Sequence, residues 1–203
     1  FIAVSKAHGE GTKLNGYFVL GGNVTMSAPY TGLKDSGLVY KADGAGMEGD
    51  YAFQGIFDGR GYAINGLVFE NANPRQTVFP TLGVSSIVRN VAFANAVIKH
   101  NGAFLAQRAE GKLENVYISI DIQAPENTWS GYNVSAAVTI SMANTFKADK
   151  LFIDEIGTND KTNYKETAFG YGVPEGTHVW TDVYFVGLGQ LMINGHEALM
   201  AKT

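Results

Sequence analysis

The chain has 203 residues, which bounds it to one domain or two small ones. Hydrophobic residues make up 45% and aromatics 12%, enough to build a core and too many for a disordered chain. Only 17% are charged, and 15 basic against 19 acidic side chains give a formal net charge of -4, which argues against nucleic acid as a partner, since phosphate binding needs clustered Lys and Arg.

Cysteine is absent, which excludes disulfides, thiolate metal sites and cysteine nucleophiles, and fits a bacterial extracytoplasmic protein while also being compatible with the cytosol. No window approaches the roughly 18 apolar residues that span a bilayer. The most apolar stretch, Val183 to Ile193, is short and interrupted by Gly187, Gly189 and Gln190. The chain opens on Phe1 without methionine or signal-peptide pattern, and is read as a processed product or a piece of a longer protein that carries further domains.

Residues 1–50 are expected to form a cap and first turns, and residues 51–203 the stacked remainder of one domain. Helical periodicity is hard to find; helical turns are expected only near Gly32 to Tyr40 and His196 to Lys202. Apolar residues occur instead in short alternating runs bounded by Gly, Asn and Asp, the pattern of strands and turns. In chain order these are Tyr17–Met26, Tyr62–Phe69, Val88–Phe93, Leu113–Ile122, Leu151–Ile156 and Trp180–Val186.

Five of these runs superpose as apolar, any, small polar, apolar, any, apolar. They start at Ile64, Val88, Leu113, Ala148 and Trp180, and Trp180 is therefore assigned to the core. The fourth positions, Leu67, Val91, Val116, Leu151 and Val183, are spaced by 24, 25, 35 and 32 residues. A period in the twenties with one strand per repeat predicts a solenoid, in which like side chains stack about 4.8 Å apart. The longer steps are then turns with insertions, near Pro125 to Asn133 and Gly157 to Pro174. A Greek-key sandwich would also give short strands and glycine turns, but not one strand recurring every 24 or 25 residues.

Phe53 to Leu67 reads FQGIFDGRGYAINGL, followed by IVRNVAFANAVI and KLENVYISI. These residues resemble the F-x-G-x-F-D-G-x-G-x-x-I-x-G-L signature and I-x-N-V-x-V strands of bacterial right-handed parallel β-helices of the GLUG-repeat, adhesin-like type. The match covers Ala52 to Ile122 and extends to Ile156. The G-G-L-V-G step of that family is reduced here to GAFLA at Gly102–Ala106 and SAAVTI at Ser135–Ile140. The fold expectation is accordingly an all-β, single-stranded right-handed parallel β-helix of about six or seven turns. The resemblance implies a non-catalytic module of a secreted or surface-displayed bacterial protein, extracellular in location, that contacts glycan or a host or cell-surface protein. Read physically, Asp58-Gly59 and Arg60-Gly61 supply the positive-φ positions of a tight reversal, so Asp58 is a turn residue rather than a catalytic acid.

Parallel β-helices also serve as polysaccharide lyases and glycosidases, and glycoside hydrolysis needs two carboxylates facing each other across a groove. Asp121 and the Asp154-Glu155 pair are the acids that would stack in that way. His8, His100, His178 and His196 lack zinc spacing and are expected at the surface. Neither a G-x-S-x-G elbow nor a Walker loop is present. Asp43, Glu48 and Asp50 in the loop DGAGMEGD offer oxygen ligands to Ca²⁺, or form a plain acidic loop. Trp129 and Tyr132, with Tyr164 and Tyr171 in the next insertion, are candidate glycan platforms, or else cap the solenoid's open edge. Three functions remain to be separated. Stacked acids in one groove would favour an enzyme, a ladder of exposed aromatics a binding module, and a bland polar surface a stalk or phage-fibre spacer.

Overall fold

The computed structural model describes residues 15–27, 52–70, 77–100, 102–123, 134–156, 165–169, 179–186, 192–193 and 196–197. These residues are all-β, with no helix among them. The first strands are β1 (Tyr17–Val19), β2 (Val24–Thr25), β3 (Ala52–Phe53), β4 (Ile56–Asp58), β5 (Ala63–Asn65) and β6 (Val68–Phe69). Next come β7 (Phe79–Leu82), β8 (Ile87–Ile98), β9 (Gly102–Ala103), β10 (Ala106–Ala109) and β11 (Lys112–Ile122). The chain continues through β12 (Val134–Met142), β13 (Lys147–Glu155), β14 (Lys165–Phe169) and β15 (Val179–Val186). It closes with β16 (Met192–Ile193) and β17 (His196–Glu197), an antiparallel pair.

Two sheets hold the other strands. In the first, β1, β4, β8, β11, β13 and β15 lie side by side, and β5 and β6 pair along later parts of β8. In the second, the order is β14, β12, β10, β7, β3. From β3 to β15 the chain passes back and forth between them, and every neighbouring pair is parallel. Parallel pairing excludes the Greek-key sandwich, which is built from antiparallel strands.

The register follows from the repeat. Val88, Leu113, Ala148 and Trp180 are lateral neighbours, as are Val91, Val116, Leu151 and Val183, and then Phe93, Ile118, Ile153 and Phe185. A shift of one residue would move each apolar set to the solvent face, so the hydrophobic pattern fixes the pairing. Trp180, Val183 and Phe185 are partly buried and pack against the core, as expected for Trp180.

The first repeat is corrected. Ile64 lies beside Phe93 and Val68 beside Val97, while Phe57 takes the place beside Val88. Between Phe57 and Ala63 the chain holds two more residues than between Val88 and Ala92, and it spends them in the Gly59–Gly61 bulge. Both β4 and β5 run parallel to β8, so DGRG is an excursion within one strand line and not a reversal. Only Arg60 (φ 55°) and Gly61 (φ 85°) have positive φ there; Asp58 and Gly59 do not.

The core lies between the sheets. Phe57, Val88, Val91, Phe93, Leu113, Val116, Ile118, Leu151 and Ile153 come from the first sheet, and Phe53, Phe79, Leu82, Ala106 and Ala109 from the second. Phe53 and Phe79 sit 5.0 Å apart by ring centroid, and Phe57 meets Phe79 edge-on at 5.9 Å.

Two expectations about the chain's end and its histidines change. His196 and Glu197 form a strand rather than a helical turn, and the sequence between β16 and β17 is Asn-Gly, a strong hairpin dipeptide. His100 is fully buried instead of exposed. The Gly32 to Tyr40 segment, His8 and His178 lie outside the described residues.

Candidate functional site: an aromatic ladder beside a polar column

Four strands of the first sheet, β8, β11, β13 and β15, bend at the third position of the repeat. Asn90, Asn115, Lys150 and Asp182 all adopt left-handed backbone conformations, with φ of 51°, 53°, 54° and 52°. Asn and Asp tolerate this region because their short polar side chains bond locally; lysine does so less readily. Stacked bends place these residues in one column. Asn115 Nδ2 donates to Asn90 Oδ1 at 3.1 Å, and Asn90 Nδ2 donates to Asp58 Oδ1 at 3.2 Å.

Two residues further along each strand, a second column faces solvent: Ala92, Tyr117, Phe152 and Tyr184 are lateral neighbours. Tyr117 and Phe152 stack at 5.6 Å with their planes 16° apart, and Tyr184 continues the row at 6.5 Å from Phe152. Phe152 and Tyr184 are 37% and 44% exposed. Between the two columns runs a groove of about 570 Å³, floored by Val91, Val116 and Leu151, with Gly61 also lining it. Rings form one wall; amides, an ammonium and a carboxylate form the other.

Beside this groove a polar knot ties β1, β4 and β8 together. Asp58 is buried at 6% exposure. Its Oδ2 accepts from Arg89 Nε at 2.8 Å and from the Tyr17 hydroxyl at 3.0 Å, and its Oδ1 from the Arg60 amide at 2.9 Å. Arg89 also lies over the Tyr17 ring, 5.9 Å from its centroid. Burial resists ionisation of Asp58, but hydrogen bonds from the Arg60 amide, Asn90, Arg89 and Tyr17 outweigh it and lower its pKa to about 2. The Arg89 guanidinium is held above its ordinary range by hydrogen bonding to Tyr17 and Asp58. Asp58 is thus a locked anion, unfit to deliver a proton at neutral pH. The Arg60 amide bond closes an Asx-type turn at Asp58, which is not the reversal expected from the sequence.

A carboxylate with a depressed folded pKa adds stability that is fully present above its unfolded pKa, about 3.9, and is lost as the pH falls toward the folded value. Denaturant midpoints measured from pH 7 down to 2 should therefore fall in part through Asp58. Replacing it by Asn should flatten the fall between pH 4 and 2 by on the order of 2 kcal/mol. Parallel curves for the two proteins would show that the knot carries no such energy.

The stacked-acid arrangement does not form. Asp154 lies beside Ser119 and Glu155 beside Ile120, so Asp121 is out of register with both. Asp121 Oδ2 accepts from Gln123 Nε2 at 2.5 Å, while Asp154 Oδ2 accepts from the Tyr117 hydroxyl at 3.4 Å. Among the described residues no cluster of three or more His, Cys, Asp or Glu could hold a metal ion. The candidate glycan residues Trp129, Tyr132, Tyr164 and Tyr171, and the candidate calcium ligands Asp43, Glu48 and Asp50, lie outside the described residues. Among the described residues no helix is long and apolar enough to cross a membrane.

The sequence points to aromatics in the two insertions, whereas this ladder stands on strands. The signal was present in the repeat itself, whose fifth position reads Ala92, Tyr117, Phe152, Tyr184. No protein-family model, curated protein or solved structure matches the chain.

Proposed function

We propose that the chain is a non-catalytic, extracellular binding module of a secreted or surface-displayed bacterial protein, and that it contacts glycan through the groove beside Tyr117, Phe152 and Tyr184. The fold that best accounts for alternating, in-register parallel strands is a right-handed β-helix of six or seven turns, with residues 1–50 as cap and first turns. In such a coil a residue type repeated at one position becomes a continuous surface stripe.

The exposed aromatic ladder carries the functional reading. Rings that stack in solvent give up little water by contacting one another alone, whereas their outer faces offer the negative quadrupole that polarised C–H groups of sugars seek. Convergent polar groups on the facing wall supply orientation. The enzyme reading lacks laterally paired acids in the described strands, where Asp121 misses Glu155 by one register step and Asp154 by two. In a spacer the ladder would serve only cross-strand stacking, which contributes about 0.2–1 kcal/mol per pair.

A glycan array probed with the purified chain tests this, with and without Ca²⁺. Phe152→Ala should abolish specific signals and Tyr184→Ala should weaken them, while both leave the circular dichroism spectrum unchanged. Loss with Trp129→Ala but not with Phe152→Ala would move the site to the Trp129–Tyr132 loop. A blank array for all forms would defeat glycan contact and return the spacer or protein-adhesion readings to the front.

A further inference from the structure

The groove constrains the shape and charge of what it takes. We infer, resting on the glycan reading above, that its ligand is an extended, uncharged, equatorially linked glycan lying across the strands, with one sugar unit on each aromatic ring. The ladder runs perpendicular to the strands, because its members are lateral neighbours in register. Its rings recur at 5.6 and 6.5 Å, close to the strand spacing and to the advance of an extended β-linked chain per pyranose. A ligand lying along a strand would meet one ring only, since each strand contributes one.

The opposite wall sets the chemistry. Asn115, Lys150 and Asp182 stand on the three strands that carry the rings, two residues before each of them. Neither Lys150 nor Asp182 has a hydrogen bond or ion pair among the described residues, so the ammonium donates and the carboxylate accepts freely toward the groove. One positive and one negative group balance to zero. Two cations nearby are committed elsewhere, Arg89 to Asp58 and Lys112 to Glu114, whose hydrogen bond raises the Lys112 pKa, and exposed Arg60, beside Gly61, is not among the lining residues. A polyanionic chain would face Asp182 with only Lys150 to offset it, whereas a row of vicinal hydroxyls can use amide, ammonium and carboxylate alike.

Titration calorimetry with cello- and chito-oligosaccharides of one to six units, and with heparin fragments of matched length, tests the inference. Affinity for one neutral series should rise by about three- to tenfold per added unit up to three or four units and then level off. Tyr184→Ala, at the end of the row, should shorten that plateau by one unit, and raising the salt should leave the affinity unchanged. A monosaccharide that binds as tightly as the hexamer would overturn the lengthwise arrangement while leaving glycan contact intact. Preference for heparin with a steep salt dependence would overturn the neutral class. Failure of every sugar would overturn both this inference and the reading beneath it.

Discussion

Phe104→Ala is expected to destabilise the protein by about 3–5 kcal/mol. Phe104 is fully buried at the junction of β9 and β10. Its ring lies 5.5 Å from Phe69 and meets Phe93 edge-on at 5.8 Å, so it joins the second sheet to two strands of the first. Its backbone is pinned as well: the amide donates to Ala136 O and the carbonyl accepts from the Val78 amide, both at 2.9 Å. A chain held at both sides cannot collapse into the vacated volume, which places the cost at the upper part of the range. Guanidinium titration checks this, and an unchanged m-value would confirm that stability alone has moved. Tyr184→Ala, on the exposed ladder, should stay within about 0.5 kcal/mol in the same assay. A loss below 1 kcal/mol for Phe104→Ala would mean that the two sheets do not share one cooperative core.

The contrast between these two aromatics shows what the sequence makes legible. Period-two alternation and a recurring six-residue pattern are direct consequences of pleat and stacking, so three of the four lateral equivalences in the repeat coincide with the observed register. The fourth does not, because the pattern apolar, any, small polar is satisfied twice in that region, by Phe57-Asp58-Gly59 and by Ile64-Asn65-Gly66. Pattern matching has no means of counting a two-residue bulge, and only pairing with β8 distinguishes the two frames. The candidate site was legible in part. The fifth position of the repeat is unconstrained in the pattern, so Tyr117, Phe152 and Tyr184 do not stand out from it. Asp121 and Glu155 lie near the ends of neighbouring strands, yet one register step keeps them from stacking. The Asp58 knot was beyond reach, since Tyr17, Asp58 and Arg89 are joined across three strands from separate repeats.

The DGRG motif offers the sharpest test of the corrected reading. If these residues made a tight reversal, the glycines would matter for positive φ, and Gly61→Ala would be the damaging change. The bulge predicts the opposite order. A Cβ on Gly59 would come within 2.5 Å of Asn90 O and of Val91 Cβ, and 2.7 Å of Val91 Cα, none of which can move without disturbing β8. Gly59 further donates its amide to Arg89 O at 2.9 Å, which fixes it against that strand. A Cβ on Gly61 would meet nothing within 4 Å, so only its φ of 85° opposes substitution. Gly59→Ala should therefore cost about 2–3 kcal/mol through forced overpacking, and Gly61→Ala about 1 kcal/mol through the left-handed backbone. Gly61→Asn should be milder still, as Asn favours that conformation. Because Gly59 abuts Asn90 and Val91, which line the groove, its substitution should weaken glycan binding in proportion to the displacement of β8, whereas Gly61→Asn should not. Equal losses at the two glycines would mean that the backbone of β8 yields to the added methyl, and that close approach is not what keeps Gly59 a glycine.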